Sequence, residues 1–417
     1  VTFSLTLLTL DFKGAFLHSL MPNDYPVYID TPYGMHCPPG KVIRLHKSLY
    51  GTKNAGHLWW KDMRALLISE GFLQNPHDQC VFYRRNENGT TIIATWVDDL
   101  LICSNDPSIR QLQRKFEEKQ FQISSFDKLA WFLGISIQTN EDGSITLDQS
   151  AYIDHLLHKF DMIDAHPCDT PITTAALNQE GVSPTIDTKK IPYRSLVGGL
   201  SHLGRFTRAD ILFATFYFAR YQNSPTQAHW KQLKRVLRYL NKTKDMKIII
   251  NRPTGEPTLK LEAFCDADWA TTSDDYKSTS GYVIQLNGTN VSCASRKQKL
   301  KTAQSSCESE LYAAGLCTME ILWTRNFLKA MYPIDLPPTP LNCDNKAVID
   351  NVNGNSNCRR LKHTMIKLNL LRDHNGSAIQ IQKVTSEKNI ADIFTKVLSR
   401  GPFERLRDML FSPTIEH

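Results

Sequence analysis

The sequence predicts a mixed α/β (α+β) chain of two or three consecutive domains, on three observations. Its 417 residues, 41% of them hydrophobic, exceed what one ordinary core accommodates. Short alternating or apolar runs bounded by turn residues fill the first third, the signature of strands. A helical middle is then followed by a second strand-rich series.

Taken in chain order, TLLTL before Asp11, TTIIATW before Val97 and LLICS after Asp99 read as strands of the first domain, residues 1–149. FLGISIQT and SITLDQ read as a hairpin across Glu141-Asp142-Gly143, where Gly supplies the positive φ of a tight turn. Residues 150–250 read as mainly helical, with helices over Tyr193 to Tyr221 and Thr226 to Leu240 and a Pro- and Thr-bearing linker over 169–192. A boundary is expected at Asn251 to Pro257. From 257 to 400 the order is strand, strand, strand, helix, strand, helix, a gap, strand, helix, which predicts one mixed sheet flanked by helices, with 401–417 as a tail.

Composition limits the function classes. A net charge of +7, from 49 Lys and Arg against 42 Asp and Glu, suits an acidic partner such as nucleic acid without requiring one. Ten cysteines without a CxxC pair argue against a zinc knuckle or a disulfide framework and for a reducing, intracellular setting. VTFSLTLLTL is too short for a membrane span and lacks a basic flank and a cleavage site, so it reads as a strand; no membrane role is expected.

Two constellations carry chemistry. In ATWVDDLLIC, Asp98 and Asp99 fall at the tip of a hairpin. Taken alone the pair reads as a solvated acidic turn, but adjacent carboxylates repel, and a divalent cation would compensate that repulsion. A third acid, Asp11, closes an apolar strand upstream. In the last third Asp266 ends a strand in LKLEAFCDADWA, and Asn287-Gly288 marks a two-residue hairpin. Ser305 and Glu308 have capping-box spacing at the start of a long helix, which leaves Glu310 without a structural task. Asp344 ends the strand of LNCDN, and Asp392 is expected early in the last helix. Four carboxylates at strand ends and helix starts would converge on one sheet edge, tolerable only with metal or shared protons.

DFKGAFLHS, LYGTKNAGHLW and WVDD, in that order, resemble the reverse transcriptase of copia-type (Pseudoviridae) LTR retrotransposons. DADWA, STSGY, SELYAA, CDN and ADIFTK resemble the ribonuclease H of the same elements, so the resemblance spans nearly the whole chain. It implies a reverse-transcriptase palm, a helical thumb-like region and a ribonuclease H-like sheet. By it, Asp11, Asp98 and Asp99 hold two Mg²⁺ ions about 3.5 to 4 Å apart for DNA synthesis. Asp266, Glu310, Asp344 and Asp392 hold two more for cutting RNA in an RNA/DNA hybrid, with Mn²⁺ as the substitute metal.

The resemblance further implies that Phe16 lies beneath the sugar of the incoming nucleotide and excludes a 2′-hydroxyl. Tyr50, Gly51 and Lys53 approach nucleotide and template, and Trp131-Phe132-Leu133-Gly134 forms a hairpin at the primer terminus. HWKQLKRVLRYL presents Lys231, Lys234, Arg235 and Arg238 toward backbone phosphates. His363 is either a proton shuttle or an ordinary surface histidine. The implied partners are an RNA template, a DNA primer, the RNA/DNA hybrid, dNTPs, and the integrase, protease and capsid parts of an element polyprotein. The implied setting is a cytoplasmic virus-like particle with a nuclear phase.

Departures from the family pattern are Trp96 for Tyr, Gly56 for Pro and Ala209 for Pro. The family's strands before the first catalytic Asp bring Lys and Arg to the triphosphate, and only ten residues precede Asp11 here. Polymerisation is therefore expected to need an upstream extension. Two other readings fit the same residues: an active ribonuclease H beside an inert polymerase remnant, and a decayed product that binds nucleic acid without catalysis.

Overall fold

The computed structural model describes residues 4–119, 121–176, 183–252, 258–269, 277–299, 303, 305–354 and 364–411. His363 and residues 253–257, where a boundary is expected, lie outside the described residues. Two compact units emerge, Val1–Phe132 with Asn326–Pro333, and Leu133–Arg325 with Ile334–His417. The expected boundary at 149/150 falls inside the second unit.

The first unit is built on β1 (Thr6–Phe12), a two-stranded ribbon of β2 (Tyr28–Ile29) and β3 (Ile43–Arg44), α1 (Ala55–Ser69), β4 (Leu73–Asn75), β5 (Asp78–Asn86), β6 (Gly89–Trp96), β7 (Asp99–Ser104), α2 (Gln111–Glu118) and β8 (Ile123–Lys128). Its antiparallel sheet has the order β4-β5-β6-β7-β1-β8. Strand periodicity divides β1 cleanly. Leu8, Leu10 and Phe12 are buried on one face, while Thr9 and Asp11 project from the other. The buried face meets Trp59, Met63, Leu66 and Leu67 of α1, which recur at helical spacing, and Leu112 and Phe116 of α2. Gly71, at φ +80°, ends α1, a backbone conformation in which a side chain would be strained.

In the second unit β10 (Ile135–Thr139) and β11 (Ile145–Asp148) form the expected hairpin, Gly143 having φ +80°, and β12 (Ile248–Ile250) pairs with β11. (Trp131–Phe132 is β9.) Helices α3 (Ser150–Lys159), α4 (Tyr193–Phe206), α5 (Leu212–Ala219) and α6 (Gln227–Lys242) fill the middle. The helix expected over Tyr193 to Tyr221 breaks at Thr207-Arg208. Arg208 is buried there, paired bidentately with Asp210 (3.0 and 2.8 Å) and donating to Thr243, and Tyr239 donates to the same Asp210 carboxylate. A buried charge must be paired this way, and the pairing fixes a turn where helical periodicity alone would continue. The expected linker is partly packed: Ile172 and Ile186 are buried in the core.

The remaining elements are β13 (Leu261–Asp268), β14 (Thr279–Leu286), β15 (Thr289–Lys297), α7 (Ser306–Met331), β16 (Thr339–Cys343), α8 (Lys346–Val352), α9 (Met365–His374), β17 (Ile379–Lys383) and α10 (Arg400–Phe411). The sheet order is β15-β14-β13-β16-β17, antiparallel through β13 and parallel beyond it. This is the predicted mixed sheet, with α9 as an additional helix. Asn287 and Gly288, at φ +49° and +77°, make its two-residue hairpin. One apolar core runs from Ile153 of α3 through α4, α5 and α6 to Phe264, Val283, Phe394 and Phe403. No described helix is long and apolar enough to cross a membrane.

Candidate metal centres and nucleic-acid contacts

Pairing register brings the first three carboxylates together. Asp11 and Asp99 are direct cross-strand partners on β1 and β7, and both point away from the helix-packed face. The turn carrying Asp98 is tied down twice. Phe12 N–H donates to the Asp98 carbonyl at 3.0 Å, and the buried indole of Trp59 donates to the carbonyl of Val97. Val97 has φ +54°, an uncommon conformation for a β-branched residue and one that clusters at functional sites. Burial, then the Asp98 charge, raises the Asp11 pKa. Burial, then Asp98 and Asp11, raises that of Asp99. Trp59 was not singled out in the sequence; its signal is the LWW run, whose first Trp falls on the buried stripe of α1.

Phe16 and Tyr50, 34 positions apart, pack with ring centroids 4.7 Å apart and their planes tilted by 48°, and the Ser48 hydroxyl donates to the Phe16 carbonyl at 2.6 Å. Gly51 follows at φ +93° with open space around it, and Lys53 is exposed. Trp131 is exposed, and Leu133 and Gly134 are both left-handed. The basic face of α6 is partly committed. Arg235 donates twice to Thr170 at 3.0 Å, Arg238 donates to the His166 carbonyl, and Lys234 lies over the Trp230 ring. Arg235 and Arg238 therefore anchor the 166–170 segment, a task that helical spacing could not reveal.

The second cluster draws on four elements. Asp266 lies on β13 and is buried; Glu310, buried, is on α7; Asp344 follows β16. Asp392 is also buried, in a 3₁₀ turn (Ile390–Phe394) rather than in the last α-helix, which begins only at Arg400. The Asn389 side chain makes that turn, accepting from Ala391 N–H and donating to the Cys265 carbonyl at 3.0 Å. Asp266, Asp344 and Asp392 present carboxylate oxygens within 4.8 Å of one another, and Asp344 also groups with Glu310 and Cys343. Among the described residues the first three acids form no group that tight.

Gly281 makes the second assembly possible. It is the register partner of Asp266, and a Cβ there would lie 2.7 Å from Thr395 Cγ2 and 2.8 Å from Phe394 Cβ. Only glycine lets the turn bearing Asp392 pack this close to β14. Lys396 pairs with Asp392 at 2.9 Å and Asp266 at 3.6 Å, the Thr395 hydroxyl donates to Asp266, and the Ser386 hydroxyl donates to Asp344 at 2.7 Å. Ser305 Oγ accepts the Glu308 N–H at 3.2 Å, as the capping spacing predicts, which leaves Glu310 directed to the cluster.

Crowding is electrostatically costly. Burial, then Asp266, Cys343 and Asp344, pushes Glu310 well above the usual carboxylate range. Burial, then Asp266, pushes Asp392 up to about 7, against the pull of Lys396. Burial also raises Asp266, partly offset by Lys396 and Thr395. Glu310 Oε2 and Asp392 Oδ1 are buried and have no hydrogen-bond partner among the described residues. The four carboxylates, with their orphaned oxygens, offer a donor set that fits a hard divalent cation such as Mg²⁺.

A family profile described as reverse transcriptase (RNA-dependent DNA polymerase) matches residues 4–174. A putative transposon Ty5-1 protein of Saccharomyces cerevisiae is 31% identical over 315 residues, 75% of this chain and 100% of that protein. The chain belongs to the copia-type retrotransposon reverse transcriptases. The Pol polyprotein of transposon RE1 from Arabidopsis thaliana is 32% identical over 95% of this chain, and that of RE2 is likewise 32% identical. The chain spans about a quarter of the length of these two relatives, 26% and 27%. A solved foamy viral protease-reverse transcriptase, in complex with RNA/DNA hybrid, aligns over 94% of this chain and 46% of its own with a TM-score of 0.52 at 13% identity. That likeness bears on fold alone.

The family departures have plain surroundings. Trp96 is exposed at the end of β6, across from Asp99. Gly56 lies in the first turn of α1 with nothing within 4 Å of a Cβ, a place where helices accept proline. Ala209 opens the short 3₁₀ turn between Arg208 and Asp210.

Proposed function

We propose that this retrotransposon polyprotein segment polymerises DNA on an RNA template at Asp11, Asp98 and Asp99, and cuts the RNA of the resulting hybrid at Asp266, Glu310, Asp344 and Asp392. The observation that carries the proposal is the convergence of the last four acids from four elements, with two of their oxygens buried and unpartnered. Divalent metal bound by either carboxylate set would neutralise phosphate charge and acidify the attacking hydroxyl or water.

The chain's own residues do the rest. In the first unit Trp59 and Phe12 hold the acidic turn in place, and the tilted Phe16–Tyr50 pair offers apolar bulk to a nucleotide sugar. Exposed Lys53 is free to approach phosphate. In the second unit Ser386 and Thr395 orient Asp344 and Asp266 by hydrogen bonds. Lys396, paired with Asp266 and Asp392, offsets part of the cluster's negative charge. The partners that follow are template RNA, primer DNA, the hybrid and dNTPs, together with the integrase, protease and capsid parts of the element.

One experiment tests both activities: primer extension on an RNA template and cleavage of a labelled RNA/DNA hybrid, each in Mg²⁺, with Asp98→Asn and Asp344→Asn. Asp98→Asn should abolish extension, and Asp344→Asn should abolish cleavage while hybrid binding persists. Retained activity in the corresponding variant overturns that site. A second reading, ribonuclease H beside an inert polymerase, is favoured by the looser grouping of Asp11, Asp98 and Asp99. Cleavage without extension would establish it.

A further inference from the structure

A sulfur shares the second cluster. Cys343 is the last residue of β16, directly before Asp344, and it is buried and free. Its Sγ and carboxylate oxygens of Glu310 and Asp344 all lie within 4.8 Å of one another. Glu310, itself 6% exposed, carries a buried oxygen, Oε2, that has no hydrogen-bond partner among the described residues. Cys343 is also the parallel-strand partner of Cys265, whose thiol donates to the Asn342 carbonyl at 3.7 Å.

Mg²⁺ gains nothing from such a ligand, since it selects oxygen donors and keeps much of its water. Zn²⁺ and Cd²⁺ behave differently. They favour thiolate, accept carboxylate alongside it, and are satisfied by three protein ligands and a water in a tetrahedral arrangement. The spacing in the trio needs only a modest contraction to reach that arrangement. Asp344, half-buried, is the side from which an ion would enter.

We propose that Cys343, Glu310 and Asp344 form a site for a thiophilic divalent cation of the Zn²⁺ type. An ion bound there takes two of the four carboxylates assigned to hybrid cleavage and so inhibits it; this second half rests on the hydrolytic reading above. Binding exchanges the Cys343 S–H bond for an S–metal bond, and the proton leaves to solvent with no change of oxidation state.

The test uses the full chain and Cd²⁺ as the probe, read by the ultraviolet charge-transfer absorption of a cadmium–thiolate bond. The parent should show a component that saturates at one ion per chain. Cys343→Ser and Cys343→Ala should remove it, Glu310→Gln should weaken it by roughly tenfold or more, and Cys80→Ser, at an exposed cysteine, should keep it. Circular dichroism identifies variants that retain the parent fold. A folded Cys343 variant with the full absorption overturns the site. In the cleavage assay, the Zn²⁺ concentration that halves the Mg²⁺-supported rate should rise roughly tenfold or more in Cys343→Ala; an equal value overturns the inhibitory role. If the parent cleaves no hybrid, the hydrolytic reading fails, while the cadmium absorption still decides the site.

Discussion

The indole N–H of Trp59 donates to the backbone carbonyl of Val97, one residue ahead of Asp98. A buried side chain on α1 thereby holds a turn whose φ of +54° at Val97 is itself unfavourable. Trp59→Phe keeps an aromatic ring but withdraws the donor. The expected cost is about 1–3 kcal/mol of stability, and a fall in primer extension of about 10- to 100-fold through misplacement of Asp98. Thermal melting and single-nucleotide extension check both, and unchanged extension would show that the turn holds without Trp59.

The Phe16 ring packs against Tyr50, centroids 4.7 Å apart, a contact that favours this placement of its bulk. Phe16→Val should relax discrimination against ribonucleotides by roughly tenfold or more, about 1.4 kcal/mol of selectivity. The ratio of kcat/KM for dNTP over rNTP measures this. A ratio equal to that of the parent removes Phe16 from sugar selection.

Gly281→Ala introduces a methyl group 2.7 Å from Thr395 and 2.8 Å from Phe394. The turn bearing Asp392 must retreat, at a cost of about 1–3 kcal/mol. Hybrid cleavage should fall at least about tenfold. Retained cleavage together with an unchanged melting temperature would mean that the turn accommodates the methyl without moving Asp392.

The raised carboxylates of the second cluster make stability depend on pH and metal together. Asp392, pushed up to about 7, and Glu310, higher than usual, stay protonated in the metal-free folded chain after their unfolded counterparts ionise. Between the ordinary carboxylate range, about pH 4, and about pH 7, the folded state therefore holds more protons. Stability falls as pH rises through that window. Metal requires the ionised form and relieves the repulsion. Melting in a chelator should drop from pH 5 to pH 8, and the rise produced by Mg²⁺ should be larger at pH 8. An Mg²⁺ effect independent of pH would break the linkage.

Read from the sequence alone, strand periodicity locates β1, β6, β7 and β13, and Asn287-Gly288 identifies the β14–β15 hairpin, because these signals are local and repeat every two residues or sit in a single turn. The family resemblance likewise rested on short runs such as WVDD and DADWA, in which the acids stand beside their own strands. Asp392 stands in such a run too, ADIFTK, but in a 3₁₀ turn and not in a helix, because a turn capped by Asn389 and a helix start share the same polar-then-apolar pattern. Other features depended on residues distant in sequence. The closeness of Gly281 to Thr395, the pairing of Lys396 with Asp266, the bond from Trp59 to Val97, and the commitment of Arg235 and Arg238 to the 166–170 segment join positions that no period connects. Strand alternation determines which face a carboxylate occupies, but how near two faces come depends on the volumes packed between them, and that is settled only when the core closes.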